Sequence, residues 1–351
     1  MVVTSTEVCT PMTFGLTKPD AWVSIPGIFK PAFPCAKLKN LRIISLNKRD
    51  YSSSTPYSEE ELAELNSPDE AIRIGFVKKR VAEVGAFIVW LIQNENIPTP
   101  VGGSVDDSKE KGGLSIAAWS SGSCLAVPFL AFAPELIGKD SLDLIQKYLC
   151  SYVMYDAPNF PHGLPVPVLD GQYYCPIGDP ALTHAEIIQQ FPDWCSGFYT
   201  HSPSALSELS APLDAPSNFS NVTEFLSALT LNQDVEPAPT SIQILQAASD
   251  TCEPVPNVAR AHVQLLFVSF PFYAECSAKV FLSPMPIWPK VRREVVVCGR
   301  SFGLTLYAAW ELKRLVQFRK SLIEGKGKEG CTVRFHVWKD FNHTVRLHSC
   351  S

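Results

Sequence analysis

The segment Gly113-Leu-Ser-Ile-Ala-Ala-Trp-Ser-Ser-Gly122 joins two kinds of pattern. Its first part, Gly113–Ala118, is a short apolar run that follows a loop of small and charged residues (Val101–Gly112) and reads as a strand. A helix should begin near Ser121 and run through Leu125, Val127, Leu130 and Phe132. Ala118-Trp119-Ser120-Ser121-Gly122 therefore stands in a sharp strand-to-helix turn, with a small residue two positions to either side of Ser120. Such a turn strains the backbone and crowds neighbouring chains. Small flanking residues relieve the crowding while the central hydroxyl is held above the sheet. The helix N-terminus would set the Ser121 backbone N–H beside that hydroxyl, where it can stabilise a developing oxyanion. Ser121 competes as nucleophile by register, but its −2 neighbour is the bulky Trp119, which favours Ser120. Taken alone, the pentapeptide is explained equally well as a serine-rich turn without chemistry.

Outward from this turn the chain alternates strands and helices. Leu41–Asn47 reads as a strand. From Ser67 the apolar residues Ile72, Phe76, Val77, Val81, Val84, Phe87, Ile88 and Leu91 recur at helical spacing until Pro98. A helix over Ser141–Leu149 leads to a strand at Cys150–Tyr155. Later come a strand at Glu294–Cys298, a helix over Leu304–Ile323 and a strand at Thr332–Trp338. This rhythm predicts βαβ units and an α/β fold with a mainly parallel, doubly wound sheet. Residues 157–261 break it with prolines, short apolar stretches and helical patterns at Val222–Leu229 and Ser241–Ala248. That segment is expected to be an inserted, mostly helical cap, leaving 1–156 and 262–351 as the core.

Composition narrows the function. A chain of 351 residues, 46% hydrophobic and 19% charged, can bury a sizeable core. A net charge of −5 argues against binding nucleic acid through a basic surface, and the basic residues of Lys313–Lys328 read as a solvated helix and loop. The eleven cysteines include no close CxxC pair, which fits a reducing compartment better than a disulfide framework or a zinc site. Gly102-Gly103 is a loop and not a phosphate-binding motif. The N-terminal residues lack the pattern of a secretory signal, and no stretch approaches a membrane span. The expectation is a cytoplasmic protein with no cofactor, no metal and no stable membrane insertion.

A serine nucleophile needs a general base, and histidine's pKa suits that task. His343, in Lys339-Asp-Phe-Asn-His343, follows the last predicted strand. His336 lies within that strand and His348 in the tail, while His162, His184, His201 and His262 lie in or beside the expected cap.

Together these segments resemble the fungal α/β-hydrolases of the AB hydrolase-1 group. The matching stretches are Gly27–Lys30, Leu41–Tyr51, Ser54–Leu62, the helix through Phe87–Trp90, the Ala118–Gly122 turn, Tyr155–Pro158, Trp288–Val291, Ala309–Leu312 and Asn342-His343. They span residues 27 to 343 in order. The resemblance implies a serine hydrolase acting on an ester or related acyl bond of a small apolar substrate. Ser120 would attack, His343 would carry the proton and Ser121 N–H would form half of the oxyanion hole. It also implies a carboxylate after the strand ending at Cys298, but Gly299, Arg300 and Ser301 stand there. Asp156, at the end of the preceding strand, can reach the same histidine; capping of the turn into Pro158 explains it equally well. Glu311 and Asp340 are poorer placed. The second oxyanion donor, a His-Gly segment in such enzymes, has no counterpart in Lys18–Pro26. The alternative reading is a relative that keeps the pocket and binds a small molecule without turnover.

Overall fold

The computed structural model describes residues 2–5, 32–44, 46, 49, 55–101, 112–167, 176–179, 181–229, 261, 264–283, 287–323 and 332–343. Strands β1 (Val2–Ser5), β2 (Leu41–Ile44), β3 (Leu114–Trp119), β4 (Leu149–Tyr155), β5 (Arg292–Cys298) and β6 (Val333–Trp338) form one sheet in the order β2-β1-β3-β4-β5-β6. From β3 to β6 the pairing is parallel, with Trp119 opposite Tyr155, Tyr155 opposite Val296 and Cys298 opposite Trp338. β1 pairs antiparallel with both β2 and β3. The result is an α/β protein with a four-stranded parallel sheet and flanking helices, extended by two antiparallel strands. β1 was not foreseen; its Val-Val-Thr-Ser run is too short to carry a periodic signal.

α1 (Ala32–Leu38) precedes β2. Ser58 closes a capping box with Glu61 at the start of α2 (Glu59–Leu65), and the Asp69 side chain accepts from Ala71 N–H at the start of α3 (Glu70–Asn94). α3 packs on α4 (Ser123–Leu136), which follows β3, and on α5 (Lys139–Tyr148), which feeds β4. α2 and α3 begin where local chemistry provides caps, whereas α4 and α5 start without a side-chain cap. The buried stripe Phe76, Val77, Val81, Phe87, Ile88 and Leu91 matches the helical spacing seen in the sequence.

Between β4 and β5 lie α6 (His184–Ser196), α7 (Pro203–Ser210), α8 (Val222–Ser227) and α9 (Phe270–Ser277), which a π-helical turn at Ala278–Leu282 continues. The helical pattern at 241–248 lies outside the described residues, as do Tyr173, Tyr174, His262 and His348. α7 packs on β6 and on α10 (Gly303–Ile323), and α8 also touches α10. The Phe225 ring stacks on Trp310 at 4.5 Å, and both side chains are fully buried. Buried Lys313 donates to the carbonyls of Glu208, Leu209 and Ala211 at the end of α7, supplying the partners that orphaned helix carbonyls require. The basic patch expected to be solvated thus begins with a buried lysine that ties α10 to α7.

Candidate active site

Ser120 sits directly beyond β3, in a single 3₁₀ turn (Ser120–Gly122) that opens into α4. Its φ of 53° lies in the left-handed region that costs a residue with a side chain of order 1–3 kcal/mol. Asp156, directly beyond β4, has φ 47°. Adjacent parallel strands therefore both end in a strained polar residue, at the same edge of the sheet. Such strain persists only where the surroundings over-determine it. Ser123 N–H bonds back to the carbonyls of Ser120 and Ser121, which closes the turn. Gly122 differs from expectation: a Cβ there would meet nothing within 4 Å, and its φ is −57°. Crowding therefore explains a small residue at buried Ala118 but not at position 122.

Asp156 is fully buried, and its carboxylate is surrounded by donors. Oδ1 accepts from the Cys298 backbone N–H at 2.9 Å. Oδ2 accepts from the Ser301 hydroxyl at 2.5 Å and from His343 Nδ1 at 2.7 Å. The backbone N–H of Asp156 donates to Val296 O at 2.7 Å. A carboxylate can only accept, so the contact fixes the imidazole proton on Nδ1 and leaves Nε2 able to take another. The turn into Pro158 does not absorb Asp156; its oxygens are committed to β5, the loop after it and His343. The structure thus brings Asp156 and His343 into direct contact. Glu311 instead pairs with Arg314 on α10.

His343 is 2% exposed and is held on several sides. The indole Nε1 of Trp119, the residue before Ser120, donates to His343 O at 3.0 Å. The Trp119 and Phe302 rings lie 5.1 Å and 4.8 Å from the imidazole. Next to it, Asn342 Nδ2 donates to Ser196 O at 2.6 Å. Ser120 and Ser121 are half-buried at the turn, and Ser120 directly follows the residue whose indole bonds the histidine's backbone.

Among the described residues, His336, His162 and His201 have other partners. His336 is exposed and bonds Glu294 at 2.8 Å. His162 is buried against the Ser277 hydroxyl at 3.0 Å, and burial lowers its pKa to about 4. His201 donates from Nε2 to Ser301 O at 2.6 Å. Burial lowers the pKa of His201, opposed by its bond to Ser301 and by the charge of Asp156. Burial raises the thiol pKa of Cys298 and the phenol pKa of Tyr155 beyond their usual ranges, and the nearby Asp156 charge adds to both. Sequence reasoning noticed Ser301 only as a non-carboxylate and missed its hydroxyl contact. The one available signal was its position three residues beyond the strand end that neighbours Asp156.

The aromatic residues between β4 and β5 differ in burial. Phe160 and Tyr199 are buried in the core, while Trp194 is half-buried against Phe302, their rings 4.3 Å apart. A depression lined by Gly85, Val89, Trp90, Leu136 and Ile137 lies at α3 and the end of α4 and contains none of the candidate residues. Among the described residues no cluster of His, Cys, Asp and Glu could hold a metal ion, and no helix is long and apolar enough to cross a membrane. Cys35 is disulfide-bonded, which departs from the expectation of wholly reduced cysteines. Cys124, Cys150, Cys195, Cys276 and Cys298 are buried thiols.

Comparisons with protein-family models, curated proteins and solved structures found no match to this chain.

Proposed function

We propose that the protein is a serine hydrolase of the α/β-hydrolase type, cleaving an ester or related acyl bond of a small apolar substrate. The observation that carries the reading is the Asp156–His343 bond at 2.7 Å, placed beside a strained serine turn whose Trp119 is bonded to the same histidine. The doubly wound arrangement belongs to this reading, as does the role of residues 157–261 as a cap.

In this mechanism the Ser120 hydroxyl oxygen attacks the acyl carbon and its proton passes to His343 Nε2. The carbonyl electron pair moves onto oxygen, next to the Ser121 N–H. Collapse of that oxyanion expels the alcohol, which leaves with the proton from His343. Water then repeats the sequence on the acyl-serine and releases the acid. Asp156 keeps the imidazole in the tautomer with Nδ1 protonated and stabilises the imidazolium as it forms. Burial of the acid–base pair strengthens both effects, because the charges interact through protein and not through bulk water.

A fluorophosphonate probe tests the reading on the full chain. It should label the wild-type protein, and labelling should vanish in Ser120→Ala while the circular dichroism spectrum stays unchanged. Folded wild-type protein that resists the probe would refute the proposal. Hydrolysis of short p-nitrophenyl esters, lost in the same variant, would extend it to turnover.

A further inference from the structure

The acid that was expected after β5 is replaced in the structure by a hydroxyl. Ser301, 0% exposed, donates to Asp156 Oδ2 at 2.5 Å, the same oxygen that accepts from His343 Nδ1 at 2.7 Å. We propose that Ser301 is a positioning residue, whose hydroxyl holds the Asp156 carboxylate in register with His343. The role is specific to the serine hydrolase reading of this site and rests on it.

The geometry supports more than incidental packing. Asp156 comes from the end of β4, and a carboxylate there must reach across β5 to the loop after β6. Cys298 N–H fixes one of its oxygens from β5, and Ser301 fixes the other from the loop beyond. With both fixed, the carboxylate cannot turn away from the imidazole. Ser301 is itself anchored: its N–H donates to Cys298 O, and its carbonyl accepts from His201 Nε2 at 2.6 Å. The neighbouring Arg300 is tied on both sides, its N–H to Phe341 O and its carbonyl to Tyr199 N–H. The loop carrying the hydroxyl is thus braced against both the His343 loop and the segment after α6.

The shared oxygen also sets direction. Oδ2 takes the Ser301 hydroxyl and His343 Nδ1 together, so the hydroxyl decides which side of that oxygen is left for the imidazole. The other titratable groups around the carboxylate are Cys298, Tyr155 and His201. Burial disfavours the charged form of each.

The test follows the imidazole directly. In protein labelled with ¹⁵N-histidine, the His343 ring resonances are assigned by their absence in His343→Gln and recorded at about pH 8 in wild type, Ser301→Ala and Ser301→Thr, where the N–H signal reports a proton held on Nδ1. Fluorophosphonate labelling rates are measured on the same samples. In Ser301→Ala the Nδ1–H signal should weaken through exchange, and labelling should slow by about tenfold to a hundredfold. Ser301→Thr should restore both. An alanine variant whose His343 signal and labelling match wild type would overturn the inference and leave the serine hydrolase reading intact. A wild type that resists the probe, while the His343 signal still weakens in Ser301→Ala, would sink the hydrolase reading and retain the hold of Ser301 on the pair. Should the alanine variant lose its fold, Ser301→Cys, which fills the same space with a weak donor, carries the same comparison.

Discussion

Asp156 illustrates how much one side chain can be asked to do. It occupies the left-handed region at φ 47°, is excluded from solvent, and satisfies three donors from three parts of the chain. Asparagine keeps the shape and tolerates that backbone conformation, but it cannot hold the Nδ1-protonated tautomer. Asp156→Asn should therefore lower the rate of probe labelling at pH 7 on the order of 10⁴-fold, with the thermal transition retained. A loss below about tenfold would remove Asp156 from the mechanism. This residue also marks how legible the site was. Ser120 and His343 could be nominated from local context, a strand-to-helix turn and the loop after the last strand. The acid could be nominated only through a neighbouring strand, because its partners lie 142 to 187 residues away in sequence and no local pattern encodes such a meeting.

At the level of elements, the long amphipathic helix and the parallel strands were readable because periodicity is strong when one face is buried over many turns. α6, α7 and α9 were not named in the sequence, where the prolines hide a short helical period. Yet Pro203 and Pro271 occupy the first turns of α7 and α9, where the missing N–H would have no intrahelical partner anyway. Glycines offer a sharper test of how elements fit. Gly163 has φ 65°, and a Cβ there would lie 2.2 Å from Phe270 O and 2.4 Å from Ala274 N, backbone atoms at the start of α9. Gly163→Ala should cost about 1–3 kcal/mol in urea unfolding through strain and collision. Gly122→Ala, at an open position with φ −57°, should be neutral or stabilise by about 0.4–1 kcal/mol. Equal effects at the two positions would contradict the structure.

The whole molecule should feel acid in two steps. Burial lowers the His162 pKa from the ordinary 6.5 to about 4. Between those values the unfolded chain binds a proton that the folded chain refuses, so stability falls as pH drops from 6.5 to 4. Glu61 follows lower down. Burial alone would raise its pKa, but bonds from Arg49, Ser58 N–H and Arg80 outweigh it and bring the value from 4.5 to about 2. Its contribution is present above pH 4.5 and is lost as pH falls towards 2. Urea midpoints measured from pH 8 to 3 should trace the first loss, and His162→Asn should flatten the curve between 6.5 and 4. A wild-type curve that is flat across that interval would refute the assignment.

The indole bond from Trp119 to the His343 carbonyl also has a consequence in time. A ribosome delivers the serine turn long before it delivers the residues that clasp it. Until the loop at 342–343 emerges, the Asp156 carboxylate lacks its imidazole and the indole lacks its carbonyl. Any reactivity of Ser120 should appear only once that clasp has closed.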